Sequence, residues 1–271
     1  MKRITAYAIA VIALVALFFF GLRAYGEAVA YERTAAELAR QTTPEVLAEF
    51  RAKEWMERFS LGLYKNETKE RLRLLKKEIR KHRERSMRWM RYAMFALGAL
   101  FMSYLLLSLR AFTFFGAVAA GIALLFGLNA PVLTVTIHKQ IAYLGDAVLS
   151  FESKGVLGSI EKLYDNGEFV VAGVILLFSV IVPAVKVVAV ALVSVFMTNP
   201  VAHRAVLFFK HLGKWSMVDV FVVAIFLVYL STDNGDVSRA EVGIGLYFFL
   251  AYVTVSMLIG LSAEKLLRSV R

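Results

Sequence analysis

Six apolar runs of about 20 residues constrain this chain more than any other feature, because that length matches the hydrocarbon core of a bilayer. They lie at roughly 4–22, 91–109, 111–133, 169–196, 216–231 and 242–262. In lipid every backbone N–H and C=O needs a partner within the protein, so spanning segments are helices or closed barrels. Runs this long without alternation read as helices. The chain is therefore read as an all-α, polytopic membrane protein. Hydrophobic residues make up 59% of it, above the roughly half that a soluble domain carries.

Composition removes several function classes. There is no cysteine, hence no disulfide and no thiolate metal site. The four histidines, His82, His138, His203 and His211, are scattered without metal-ligand spacing, so neither metal nor other cofactor is expected. The net charge of +11 comes without a nucleic-acid-binding motif. In a membrane protein it is accounted for by cytoplasmic Lys and Arg and by anionic lipid headgroups. No GxxxxGK[ST], HExxH or GxSxG motif is present, so no catalytic residue is assigned and the chain is not read as an enzyme.

Charge sets the sidedness. Residues 197–215 carry Arg204, Lys210 and Lys214 and no acid, and the tail carries Lys265, Arg268 and Arg271 against Glu264. Both are expected in the cytoplasm. Residues 134–168 and 232–241, richer in acids, fall on the other side, with Arg110 at the cytoplasmic start of the third span. Lys2 and Arg3 put the N-terminus in the cytoplasm too. That places residues 23–90 outside although they hold 17 basic against 11 acidic residues; long loops translocate largely regardless of charge. The competing arrangement makes 91–133 one re-entrant hairpin and 23–90 cytoplasmic. Ala28-Val29-Ala30 has the small-x-small form of a signal cleavage site, but the preceding apolar run exceeds a signal core, and an uncleaved anchor is expected.

Residues 23–90 read as a polar arm of two helices. Thr43-Pro44-Glu45 resembles a helix start, residues 60–68 a break, and Leu72, Leu75 and Ile79 a narrow apolar stripe. A solvated hairpin and a docking arm fit equally, and no heptad run long enough for a coiled coil is expected.

The phrases LLFSVIVPAVKVV (176–188), LGKWSMVDVFVVAI (212–225), GLNAPVLTV (127–135) and GLYFFLAYVTVSMLIG (245–260) together resemble the paraquat-inducible protein A (PqiA/LetA-like) family of bacterial inner-membrane proteins. KWSMVD is the most specific of them. The resemblance covers about 111–262 and implies a four-span, tetraspanin-like helical bundle. It also implies work beside a separate chain, a mammalian-cell-entry (MCE) domain protein forming a hydrophobic conduit, with phospholipid as cargo. The chain departs from longer members in having one module, no zinc ribbons, and two extra N-terminal spans with the arm. The expected units are a membrane anchor (1–22), the polar arm (23–90), an extra span (91–110), the four-helix module (111–262) and a basic cytoplasmic tail (263–271).

The candidate site is polar rather than catalytic. Ser179 and Lys186 are seven residues apart, on one helical face, and Pro183 between them removes a backbone donor and frees carbonyls near Ser179. The bland reading is a serine-capped kink. The functional one is a mid-membrane polar pocket in which Lys186 meets a lipid phosphate. Asp219 is the counter-charge expected for Lys186, or a shallow aspartate completing a capping box with Ser216. Trp215 is an interface aromatic. Thr254 and Ser256 extend the network or act as plain helix–helix contacts. Asn129 and Pro131 are expected to end the third span, and Gly243 and Gly245 to permit close packing. The expected function is a lipid-transport subunit that loads or unloads the MCE conduit. The alternatives are a non-transporting scaffold for that partner and a small-molecule or ion transporter.

Overall fold

Alanine, arginine and glutamate are good helix formers on either side of a membrane boundary, and the first helix crosses that boundary without a break. The computed structural model describes residues 2–41, 67–103, 107–141, 145–195 and 238–268. Helix α1 is Lys2–Gln41 and α2 is Glu67–Met102. At 1.5 Å per residue they are about 60 and 54 Å long. The boundaries expected at 22/23 and 90/91 thus fall inside continuous helices, and the expected span at 91–109 is in its described part mainly the end of α2.

α1 and α2 pack antiparallel along a seam of small residues. Ala6, Ala10, Ala13, Leu17, Ala24, Ala28 and Ala35 are buried, mostly three and four residues apart. Leu75, Ser86, Met90, Ala93, Leu97 and Leu100 answer them from α2. A 3.5-residue repeat keeps the two seams facing each other, and alanine lets the backbones approach. The Ser86 hydroxyl donates to the Ala24 carbonyl at 3.1 Å. His82 Nδ1 meets Glu27 Oε2 at 2.6 Å. Arg71 donates to Glu37 at 3.4 Å. The seam is written in alanine and runs through the membrane boundary, so much of it lies outside residues 23–90, for which no long heptad run is expected.

Helix α3, Leu109–Asn129, starts at the N-cap Ser108, whose hydroxyl accepts from the Ala111 N–H at 3.4 Å. It ends as expected at Asn129. Ala130 is extended (φ −75°, ψ 153°), the conformation that a following proline imposes. Strands β1 (Leu133–Ile141) and β2 (Gly145–Lys154) follow, then the short helix α4 (Val156–Asp165). Gly167, at φ 83°, turns the chain into α5, Phe169–Val195. After residues 196–237, which are outside the described set, β3 (Ser238–Val242) leads into α6 (Ile244–Arg268).

Contacts fix the directions. Tyr7 lies by Phe115 and Phe18 by Phe126, so α1 and α3 are parallel. Gly116 faces Ile259 and Gly127 faces Phe249, so α6 runs antiparallel to α3. Arg110 at the start of α3 reaches the last carbonyls of α5. The starts of α1 and α3 and the ends of α5 and α6 therefore share one end of the bundle, where Lys2, Arg3, Arg110, Lys265 and Arg268 fall.

The opposite end carries a three-stranded antiparallel sheet, order β2-β1-β3. Leu133 pairs with Lys154 on one side and Val242 on the other, with a bulge between Ile137 and His138. The all-α expectation is corrected here: the protein is predominantly helical, with a sheet closing one end. Leu133, Val135 and Ile137 alternate with Thr134, Thr136 and His138, a strand pattern that favours a ladder where backbone leaves the bilayer. Gly243 and Gly245 allow the close packing expected of them. Added Cβ atoms would collide with the Pro131 and Ala130 carbonyls, onto whose segment Gly245 N–H donates at 2.8 Å.

Among the described residues four helices are long and apolar enough to cross a membrane: Ile4–Gln41, Leu109–Asn129, Phe169–Val195 and Ile244–Ala263. The expected span at 216–231 lies outside the described residues. On α1 the large exposed apolar residues stop at Leu22, and on α2, Leu74 in the distal arm apart, they begin at Tyr92. Phe20 stacks on Trp89 between them, centroids 5.8 Å apart, and Arg23 sits 5.3 Å over the Phe19 ring. This is an interfacial aromatic belt. The remainder of both helices projects past it on the sheet side.

Candidate functional site

Proline at 183 decides the local shape of α5. It has no N–H to donate four residues back, and its ring crowds the Ser179 carbonyl. The helix answers with a π-turn over Leu176–Ile181, in which the Val182 N–H donates to the Leu177 carbonyl five residues back. Such turns widen the helix and often accompany functional sites. Ser179 lies inside the π-turn and is half-buried, Pro183 is fully buried, and Lys186 is half-buried. Val187 packs over Gly121, near the middle of α3, so Lys186 sits at mid-bundle depth. Ser179 lies about 10 Å nearer the sheet.

The other expected site residues divide. Trp215, Ser216 and Asp219 lie outside the described residues. Thr254 is exposed on the outer face of α6, and its hydroxyl donates to the Leu250 carbonyl at 2.9 Å. Ser256 is buried, and its Oγ has no hydrogen-bond partner among the described residues. Two residues along a helix is a turn of about 200°, so these hydroxyls cannot share one network. A buried hydroxyl without a partner costs about 1–3 kcal/mol, so Ser256 is a hydroxyl of α6 with bonding capacity unmet among the described residues.

Two features escaped the sequence reading. One is the Arg110 clamp. Its Nε donates to the Ser194 carbonyl at 2.7 Å and its Nη2 to the Val195 carbonyl at 2.6 Å. These belong to the end of α5, where carbonyls lack intrahelical partners and the helix dipole favours a cation. The other is a polar junction between arm and sheet, beyond the apolar stretch of α1. Tyr31 donates to Glu241 at 3.4 Å, and Arg83 donates to Glu241 at 3.2 Å. Ser153 donates to Glu32 and pairs with Thr134 at 3.1 Å. Burial, then the Glu241 charge, pushes the Tyr31 hydroxyl up to about 12. Burial also raises the Glu32 carboxyl, opposed by the Ser153 hydrogen bond. The cavity there is about 30 Å³, too small for a lipid headgroup, so the junction is a fastening rather than a ligand pocket. No group of three or more His, Asp or Glu side chains among the described residues is placed to hold a metal.

Residues 117–267 match the family model of paraquat-inducible protein A. The chain belongs to this family. The match covers more than half of the chain, from within α3 through α5 to the end of α6, and leaves α1, α2 and their arm outside it. Comparison with curated proteins and with solved structures gave no match.

Proposed function

We propose that this protein is a non-enzymatic inner-membrane subunit of an MCE-type lipid transport system, loading phospholipid between the bilayer and a periplasmic conduit built by a separate MCE-domain chain. The observation that carries the reading is a half-buried lysine at mid-bundle depth, one turn beyond a π-widened segment of α5. An ionisable group at that depth is expensive and marks a pathway or a binding site by default. α5 is also the least covered of the four spanning helices among the described residues, with 17% of its apolar stretch buried against 61% for α3 and α6. The positive-inside rule places the basic end in the cytoplasm. The sheet and the arm then face the periplasm, where such a conduit would be met.

Lys186→Ala tests the reading. In cells carrying the inserted, folded variant, phospholipid transfer to the MCE partner and the envelope barrier are expected to fail. Normal transfer by that variant would overturn the transport role of α5 and leave a scaffold.

A further inference from the structure

One open face of α2, flanking its seam with α1, changes character at one point. Arg80, Arg83, Glu84, Met87, Arg88 and Arg91 line an open groove of about 460 Å³. Their spacing of three and four residues places them on one side of the helix. Continuing along that side towards the basic end come Phe95 and Met102, which are 75% and 70% exposed. The change from guanidinium to hydrocarbon falls within one turn, between Arg91 and Phe95, level with Trp89 and Tyr92 in the aromatic belt.

The groove's charges are unevenly satisfied. Arg80 donates to Glu84 at 2.9 Å and Arg83 to Glu241 at 3.2 Å. Both acids are thereby occupied by the arginines farther from the membrane boundary. Arg88 and Arg91, nearest that boundary, have no carboxylate partner among the described residues. Two unneutralised guanidinium groups above an exposed apolar track have the shape and charge of a receptor for an amphiphile with an anionic head. Guanidinium pairs well with phosphate oxygens, and the apolar track is continuous with the surface that α1 and α2 expose to lipid.

We propose that this face of α2 is a binding site for an anionic phospholipid of the leaflet on the sheet side, with the phosphate at Arg88 and Arg91 and the acyl chains along Phe95 and Met102. The site lies outside the segment matching the family. It does not depend on the transport reading: a lipid held here anchors the arm whether or not α5 moves lipid.

The test uses the full-length protein in a non-ionic detergent, with phosphatidylglycerol and phosphatidylcholine of identical chains, read by native mass spectrometry. Phosphatidylglycerol is expected to be retained in preference to phosphatidylcholine. The double change Arg88→Gln/Arg91→Gln is expected to lower its apparent affinity on the order of thirtyfold, and Arg88→Lys/Arg91→Lys to restore part of it. Arg73→Gln/Lys77→Gln removes the same charge from the distal arm and is expected to stay within about twofold, because the distance to the head exceeds a screening length. Inorganic phosphate is expected not to displace the lipid. Retention unchanged by Arg88→Gln/Arg91→Gln, an equal loss in the distal variant, or displacement by inorganic phosphate would each overturn the site. None of these measurements reads transport, so failure here and failure at Lys186 are separate results.

Discussion

Replacing Gly127 with alanine should loosen the contact between α3 and α6, and a second glycine provides its control. A Cβ built at Gly127 would lie 2.8 Å from the backbone nitrogen of Phe249 and 2.9 Å from its Cα. Those atoms belong to the main chain of α6, which is packed along its length, so they cannot rotate aside as a side chain would. Overpacking of this kind costs about 1–3 kcal/mol. Alanine returns about 1 kcal/mol of helix propensity. With main chain in the way the upper part of the cost applies, and the net loss is about 1–2 kcal/mol. Gly26 lies in α1 just past the apolar stretch, is exposed, and has nothing within 4 Å of an added Cβ. Gly26→Ala therefore keeps the propensity gain alone, about 0.5–1 kcal/mol. The two substitutions are chemically identical and should differ in sign, by about 1.5–3 kcal/mol in all. Equilibrium unfolding of the detergent-solubilised protein by added dodecyl sulfate, followed by tryptophan fluorescence, measures the difference. Equal stability of the two variants would refute the claim that the α3–α6 backbones touch at Gly127.

Three further outcomes are expected. The chain has no native cysteine, so single cysteines at Gly26, Gly158 and Lys265 can be labelled with an impermeant maleimide in intact spheroplasts; the first two should react and the third should not, and the reverse pattern would invert the topology. Arg110→Met removes two charge-assisted hydrogen bonds from the end of α5 and should cost about 1–3 kcal/mol, with faster amide exchange following the freed last turn; unchanged exchange would show the clamp to be idle. The Glu32 carboxyl is raised by burial, so the folded arm–sheet junction binds a proton more readily than the unfolded chain does, and stability is lost as pH rises from the ordinary carboxylate range through the raised value. Glu32→Gln should flatten that dependence in a thermal-unfolding series, and a slope unchanged by the substitution would assign it to another group.

Four membrane helices were legible because a bilayer enforces length and apolarity residue by residue. Asn129 and Pro131 end α3 as read, and the π-turn before Pro183 is the local consequence of a missing N–H. Other features were invisible for identifiable reasons. The α1–α2 seam uses Ala6, Ala10, Ala13, Ala24 and Ala28, and it extends across the line where the chain was divided into membrane and polar parts. A search for large apolar residues on either side of that line does not see it. Leu133, Val135 and Ile137 alternate as a strand does, but the acids of 134–168 dominate a reading of that segment by charge. The strand Ser238–Val242 has no pattern of its own and is specified by pairing with β1. Arg110 read as an orientation marker because its partners are main-chain carbonyls 84 and 85 positions away, and carbonyls carry no sequence signature. Thr254 and Ser256 were grouped by proximity in sequence, whereas helical phase separates them.

The central strand of the sheet has a temporal consequence for biogenesis. β1 ends at Ile141 and its second neighbour begins at Ser238, nearly a hundred positions later. At a synthesis rate of about 5–20 residues per second, the β1–β2 hairpin waits roughly 5–20 s for the ladder to close. During that interval one edge of β1 offers unpaired N–H and C=O groups on the far side of the membrane. The surface of α3 that will receive α6, lined by Gly116, Ala120, Ala123 and Gly127, stands open for the same time. Arrival of Gly243 and Gly245 seals both at once, because their backbones dock on Ala130 and Pro131 between the helix and the strand. A nascent chain stalled before residue 238 would therefore present a paired hairpin with a sticky edge above a half-built bundle, the form in which a quality-control protease or chaperone would meet it.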